Sequence, residues 1–111
     1  MRKDDRVRLQ YMLDAAREAV GFVQGRARTD LDSDRMLVLS LVKGIEIVGE
    51  AANQVSQVTR EQLPGIPWAD IIGMRNRLIH AYFDINLEIL WRTVQYDLPP
   101  LIEVLERALR G

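Results

Sequence analysis

The sequence contains no cysteine and a single histidine, His80, among its 111 residues. Without cysteine there can be neither a disulfide framework nor thiolate chemistry, and such a composition suits the reducing cytoplasm. One histidine without cysteine is also too few ligands for a zinc site of the usual kind within one chain. We therefore expect a cytoplasmic protein that needs no metal and no other cofactor.

Long apolar runs are also missing. Charged residues interrupt every apolar stretch well before the roughly 20 residues that a membrane-spanning helix needs. The first ten residues, MRKDDRVRLQ, are charged but lack the apolar segment of a secretory signal. Signals for β-structure are scarce, since the chain has no Asn-Gly or Asp-Gly turn and no sustained period-two alternation. We expect an all-α protein without membrane association.

Neither sign of charge is in excess: 15 basic and 16 acidic residues give a net charge of −1. Proteins that simply coat nucleic acid are usually strongly basic, because neutralising phosphates supplies most of their affinity. Any role on RNA would therefore depend on a local patch or on a surface formed when copies associate.

Helical periodicity is what the sequence does contain. It predicts helices over about residues 4–24, 31–58, 67–83 and 87–110, which would form one antiparallel bundle of four to five helices spanning 1–111. Pro99 and Pro100 should kink or restart the last helix. Gly25 suits the end of the first helix, and the candidate caps for later helices are Asp30, Asp32, Ser33, Asp84 and Asn86.

The apolar stripe of the second helix is wider than one neighbouring helix would cover. Met36, Leu39 and Ile47 extend it sideways. This excess predicts a second buried surface, either within the bundle or against another copy of the chain, and the sequence leaves both possibilities open.

The segment MRNRLIHAYF, residues 74–83, concentrates the reactive side chains. On one continuous helix, Arg75, Asn76 and His80 would share one side, with Tyr82 a turn further along. An imidazole can transfer protons near neutral pH, and a guanidinium can stabilise charge on a phosphate, which is what cleavage by the ribose 2′-hydroxyl requires. Asn76 could orient the imidazole or contact the sugar.

A single histidine supplies one proton-transfer group where acid–base cleavage works best with two. A two-fold dimer would bring two copies of His80 and Arg75 into one cleft. Spacing alone favours a structural role, because a lone histidine near a helix end can simply stabilise the helix dipole.

Four further residues have two interpretations each. Glu46 and Glu50 could belong to a solvated face, or one of them could orient a side chain of the Arg75 cluster. Trp68 could be a packing residue or could line the mouth of the cleft. Arg60 could be ordinary surface or could add affinity for RNA.

RNRLIHAY matches the R-x4-H-x-Y signature of HEPN-domain toxins at Arg75, His80 and Tyr82. The flanking segments RLQYMLDAAREAV, GIEIVGEAANQVS, IPWADIIGMRNRLIHAYFDIN and LPPLIEVL are similar to the small HepT family. The resemblance extends over nearly the whole chain.

This resemblance implies an all-α HEPN bundle, dimerised so that two R-x4-H motifs face each other. It implies a metal-independent endoribonuclease, the toxin of a type II/VII-like toxin–antitoxin pair, in which Arg75 and His80 are catalytic and Asn76 supports them. The implied partner is a minimal nucleotidyltransferase antitoxin of the MntA type, which transfers AMP from ATP onto Tyr82. The alternative is a non-catalytic helical module that binds this nucleotidyltransferase.

Overall fold

The structure is a computed structural model that describes residues 1–81 and 84–111. The helices are α1 (Lys3–Phe22), α2 (Asp30–Ser33), α3 (Arg35–Gln54), α4 (Gln57–Gln62), α5 (Trp68–Ile72), α6 (Met74–Leu78), α7 (Leu87–Arg92) and α8 (Leu98–Arg110). A π-helical turn, Thr93–Asp97, joins α7 to α8. These described residues form no strand, and the expected all-α bundle is confirmed.

The long helices α1 and α3 lie antiparallel at the centre of the fold. A Cβ atom at Gly44 would lie 3.4 Å from Ala19 Cβ, so small residues let the two helices approach closely. Helix α8 packs against α1, and α5 and α6 pack against α3. The core between these helices includes Leu9, Met12, Ala16, Leu41, Ile45, Val48, Leu98 and Leu105.

A buried carboxylate fixes the start of α1 against the start of α4. Asp5, 2% exposed, accepts hydrogen bonds from the backbone N–H of Ser56 at 2.9 Å, the Ser56 hydroxyl at 2.6 Å and the Thr59 hydroxyl at 2.7 Å. Burial alone would raise the pKa of Asp5, but these hydrogen bonds outweigh it and lower the pKa to about 2. The carboxylate therefore stays charged inside the protein.

The expected second helix is divided in two. Helix α3 begins at Arg35 because the carboxylate of Asp34 accepts a hydrogen bond from the backbone N–H of Leu37 at 3.0 Å. The expected cap at Asp30, Asp32 or Ser33 is therefore wrong for this helix, since those residues form α2. Gly25 has a φ of 74°, which glycine adopts readily, but α1 ends at Phe22 and its C-cap is Val23, so the expected cap at Gly25 is wrong.

The last helix restarts at the prolines, as expected. Pro99 and Pro100 lie in the first turn of α8, where a missing backbone N–H leaves no helical hydrogen bond unmade. The preceding π-helical turn accommodates the change, and Leu90, Val94, Leu98 and Leu101 still form one buried stripe. Asn86 caps α7 by accepting a hydrogen bond from the Ile89 N–H at 3.0 Å.

Candidate active site

The short helices α5 and α6 hold the reactive motif against the middle of α3. A Cβ atom at Gly49 would lie 3.4 Å from the carbonyl oxygen of Ile71, so α3 and α5 are in close contact. Helix α6 buries Met74 and Leu78 in the core. The residues between them are therefore turned outward: Arg75 is partly exposed, and Asn76 and Arg77 are exposed.

His80 does not share a helical face with Asn76, because the helix ends at Leu78 rather than near position 83. Ile79 is extended, with φ −110° and ψ 121°, and it pairs with Ile85 in an isolated antiparallel bridge. Both isoleucines pack against the core. This burial of β-branched side chains outweighs one more helical turn, so the prediction of a continuous helix is wrong.

The loop beyond α6 holds His80 through its backbone. The His80 N–H donates to the carbonyl of Asp84 at 2.8 Å, and the Asn86 N–H donates to the carbonyl of Leu78 at 2.7 Å. The Ile79 N–H in turn donates to the carbonyl of Arg75 at 3.1 Å. The backbone just before His80 is therefore joined to that of Arg75, while the imidazole-bearing residue is exposed.

Glu46 of α3 lies against the motif arginine. Its Oε1 is 3.6 Å from Nε of Arg75, and the side chains are 20% and 42% exposed respectively. The Arg75 side chain is still 42% exposed beside this contact, and a guanidinium can bind phosphate oxygens. The contact of Glu46 with Arg75 agrees with the second of the two interpretations open for Glu46.

The other candidates lie elsewhere. Glu50 is exposed and lines a depression between α1 and α3 together with Arg8 and Tyr11. Arg77 lines a groove against the segment around Tyr96, so it is directed away from Arg75.

Asn76 lies on the rim of a different depression, together with Trp68. Within residues 1–81 and 84–111, it makes no hydrogen bond to His80. Tyr82, the expected modification site, lies outside the described residues.

Sequence reasoning missed the backbone support of His80 and the buried carboxylate of Asp5. The hydrogen bond from His80 to Asp84 depends on how the loop folds back, and nothing in the residue types signals it. An aspartate in a first helical turn is usually solvated, so Asp5 gave no signal either.

The described residues contain neither a metal-binding cluster nor a membrane-spanning helix. In residues 1–81 and 84–111, no cluster of three or more His, Cys, Asp or Glu side chains is arranged to hold a metal ion. Over the same residues, no helix is both long enough and apolar enough to cross a lipid bilayer.

The fold and the motif together define a small all-α protein of the HEPN kind, with an arginine and a histidine exposed at the end of one helix. The family model described as "Ribonuclease HepT-like" matches residues 12–108. The chain belongs to the HepT-like ribonuclease family, which confirms the resemblance seen in the sequence.

Three curated relatives match over most of their own length. The chain is 30% identical to "Putative RNase MJ1380" of Methanocaldococcus jannaschii, over 95% of this chain and 96% of that protein. It is 32% identical to "Putative RNase TTE0752" of Caldanaerobacter subterraneus subsp. tengcongensis, over 97% and 96%. It is 34% identical to "Probable ribonuclease HepT" of Thermococcus cleftensis, over 82% and 86%. No solved structure matches the chain significantly.

Proposed function

We propose that two copies of this chain form a metal-independent endoribonuclease with a composite active site at their interface. The observation that carries the proposal is the arrangement of the motif: Arg75 is half-exposed and held by Glu46, beside a loop that exposes His80. Relatives named as ribonucleases support RNA as the substrate. The single domain 1–111 would be one half of the enzyme.

The proposed reaction is a transesterification within the RNA strand. One His80 removes the proton from a ribose 2′-hydroxyl, whose oxygen forms a bond to the adjacent phosphorus while the bond from phosphorus to the 5′-oxygen breaks. The second His80 protonates that leaving oxygen, which gives a 2′,3′-cyclic phosphate and a 5′-hydroxyl. Arg75 stabilises the extra negative charge on the phosphoryl oxygens, and Asn76 contacts the substrate.

The exposed face of α3 supports association of two copies. Met36 is 81% exposed and Leu39 is 44% exposed, so the sideways extension of the apolar stripe is not buried at these two positions within one chain. Leu39 and Glu46 are seven residues apart and share a row of the helix, about 10 Å apart along its axis. A partner covering this apolar surface would therefore approach the Glu46–Arg75 pair.

Cleavage in the presence of EDTA tests the catalytic part of the proposal. Purified protein free of AMP should cleave unstructured RNA in EDTA and leave 2′,3′-cyclic phosphate ends. His80→Ala should lose at least about 10²-fold in rate, with unchanged thermal unfolding. Wild-type protein without AMP that fails to cleave any RNA would contradict the nuclease proposal.

Mixing the wild type with an inactive variant tests the composite site. Wild-type chains, unfolded and refolded with an excess of His80→Ala chains, should lose activity per wild-type chain, because most of them then lie in mixed dimers with one histidine in the cleft. Activity per wild-type chain that stays unchanged in such mixed dimers would place the site within a single chain.

We further propose that this nuclease is the toxin of a type II/VII-like toxin–antitoxin pair, silenced when a minimal nucleotidyltransferase transfers AMP onto Tyr82. The motif position of Tyr82 supports this, since AMP there would bring a phosphate that competes with RNA for Arg75. Wild-type chain made together with the nucleotidyltransferase should gain the mass of one AMP, and Tyr82→Phe should not. Equal neutralisation of the Tyr82→Phe variant would rule out this mechanism.

The alternative is a non-catalytic module that binds the nucleotidyltransferase. The exposed apolar residues Met36 and Leu39 favour it equally, since they could be covered by another protein instead of a second copy. Dimerisation of the isolated chain together with cleavage supports the nuclease. A monomer that is inert on RNA and forms a stable complex with the nucleotidyltransferase supports the binding module.

A further inference from the structure

A depression of about 550 Å³ lies beside the motif helix, with Asn76 on its rim. Helix α4 forms one wall, and the segment from α5 to the start of α6 forms the other; its lining includes Gln57, Arg60, Glu61, Trp68, Ile72 and Gly73. Its volume falls within the range of about 300–1,000 Å³ that is typical of small-ligand sites. Asn76 is the residue after Arg75 in α6, so the depression and the candidate catalytic arginine share one short helix.

Two flat groups in this depression are held rigid by the protein. The indole N–H of Trp68 donates to the carbonyl of Leu63 at 3.2 Å. The guanidinium carbon of Arg60 lies 5.7 Å from the centre of the indole ring. Arg60 is fixed in turn by hydrogen bonds from Nε to the Val55 carbonyl at 3.1 Å and from Nη2 to the Ala52 carbonyl at 3.2 Å. A ligand that stacks here meets groups that are already ordered, which reduces the entropy lost on binding.

The charges around the depression favour the base of a nucleotide over its phosphate. Arg60 contributes one positive charge and Glu61 one negative charge, so the depression has no excess of positive charge to attract a phosphate. The Gln57 side-chain amide lies 3.4 Å from the Glu61 carboxylate, and both groups form hydrogen bonds of the kind that read the edges of bases. An aromatic ring with an amide and a carboxylate beside it fits a nucleobase better than it fits a phosphate.

We propose that this depression binds an unpaired base of the RNA next to the phosphate that is cleaved, and that Trp68 is the residue on which the base stacks. The inference rests on the proposed nuclease function and adds a binding subsite to it. It also assigns Asn76 a place between the base and the scissile phosphate. Double-stranded RNA could not use the subsite, because its bases are stacked within the helix.

Tryptophan fluorescence can test the subsite without cleavage. The chain has two tryptophans, so Trp91→Phe leaves Trp68 as the single reporter, and Trp68→Phe leaves Trp91 as the matched control. Each variant, carrying His80→Ala as well, is titrated with a 2′-O-methyl oligonucleotide, which has no 2′-hydroxyl to attack the phosphate. We expect saturable quenching of Trp68 and little change at Trp91. An oligonucleotide of equal charge with abasic residues should not quench Trp68.

Affinity measured by anisotropy completes the test. Trp68→Leu removes the aromatic face and should weaken binding of the 2′-O-methyl strand by about 5- to 150-fold, whereas Trp68→Phe should weaken it less. Circular dichroism and thermal unfolding confirm that each variant is folded. Equal affinity of a folded Trp68→Leu variant, or quenching by the abasic strand, would overturn the subsite.

The outcomes separate the subsite from the nuclease proposal. Base-dependent quenching without any cleavage of ordinary RNA by the wild type supports the subsite and contradicts the nuclease. Cleavage with unchanged rate and affinity in Trp68→Leu supports the nuclease and overturns the subsite.

Discussion

Two carboxylates on the neighbouring helices α1 and α3 are used in opposite ways. Asp5 is 2% exposed and is bound by Ser56 and Thr59 at 2.6–2.9 Å. Glu46 is 20% exposed at its side chain and contacts Arg75 at 3.6 Å. The first carboxylate has its charge satisfied by the backbone and hydroxyls of a neighbouring helix. The second lies against a cation that still has exposed surface for a substrate.

This difference separates stability from function within a small protein. Removing the Asp5 carboxylate would leave one buried and two partly buried hydrogen-bond donors without this acceptor, which costs folding free energy. Changing the Glu46–Arg75 pair alters a partly solvated contact, whose contribution to stability is about 0–1 kcal/mol. Substitution of Asp5 should therefore alter unfolding, and substitution of Glu46 or Arg75 should alter catalysis.

The largest effect should come from the arginine of the functional pair. Arg75→Ala removes the charge proposed to stabilise the phosphoryl oxygens and should lower kcat by about 10²- to 10³-fold, with little change in Tm. Arg77→Ala is the matched control, because Arg77 is exposed on the same helix and lines another groove. Equal losses in the two variants would show that the effect is general electrostatic attraction of RNA and would remove Arg75 from the catalytic role.

Removal of the buried Asp5 carboxylate should lower stability and leave cleavage unchanged. Asp5→Ala should lower the free energy of unfolding by about 3 kcal/mol, measured with urea. Cleavage per folded molecule should stay unchanged, because Asp5 contacts the start of α4 and not the motif. Asp4→Ala provides the control: Asp4 is exposed in the same helical turn, and its loss should change stability by less than about 0.5 kcal/mol. Similar unfolding of both variants would contradict the role assigned to the buried hydrogen bonds.

Low pH should weaken the hydrogen bonds from Ser56 and Thr59 to Asp5. The pKa of Asp5 is lowered from 3.8 to about 2 in the folded protein, so the unfolded chain takes up the proton first as pH falls. Ionised Asp5 therefore contributes about 2 kcal/mol to the free energy of unfolding. This contribution is complete above about pH 4 and is lost as pH falls toward 2. Urea unfolding from pH 5 to pH 2 should show this loss in the wild type and a shallower pH dependence in Asp5→Asn. Parallel curves for the two proteins would exclude Asp5 as the source.

The helical class and the position of the motif could be predicted because they depend on local patterns. Periodic apolar residues located α1 and α3, and proline in a first helical turn located the start of α8. The end of α6 could not be found this way, because the outcome depends on Ile79 pairing with Ile85 six residues later. A helical wheel assumes that the helix continues, and tertiary packing of two β-branched residues ended it.

The candidate site shows the same limit. Glu46 and Glu50 lie one helical turn apart on α3, and the sequence gives both the same chance of meeting Arg75. Only the packing of α6 on α3 decides which one does. The Asp34 cap was missed for a related reason, since several neighbouring acidic residues could cap a helix and their competition is settled by the path of the chain.

The smallest effect on kcat is expected from substitution of Glu46, which directly tests whether Glu46 orients Arg75. Glu46→Gln keeps the shape of the side chain but removes its charge, so the guanidinium should be less well oriented and kcat should fall about tenfold, or ~1.4 kcal/mol. Glu50→Gln makes the same chemical change one turn away, beside Arg8 and Tyr11, and should leave kcat within about twofold. Measuring RNA binding over a range of salt concentrations distinguishes positioning of Arg75 from a general charge effect of Glu46. If Glu46 acted only through its negative charge, its loss should tighten binding of RNA. If Glu46→Gln and Glu50→Gln changed KM equally and left kcat alone, Glu46 would be part of the surface field and not a positioning residue.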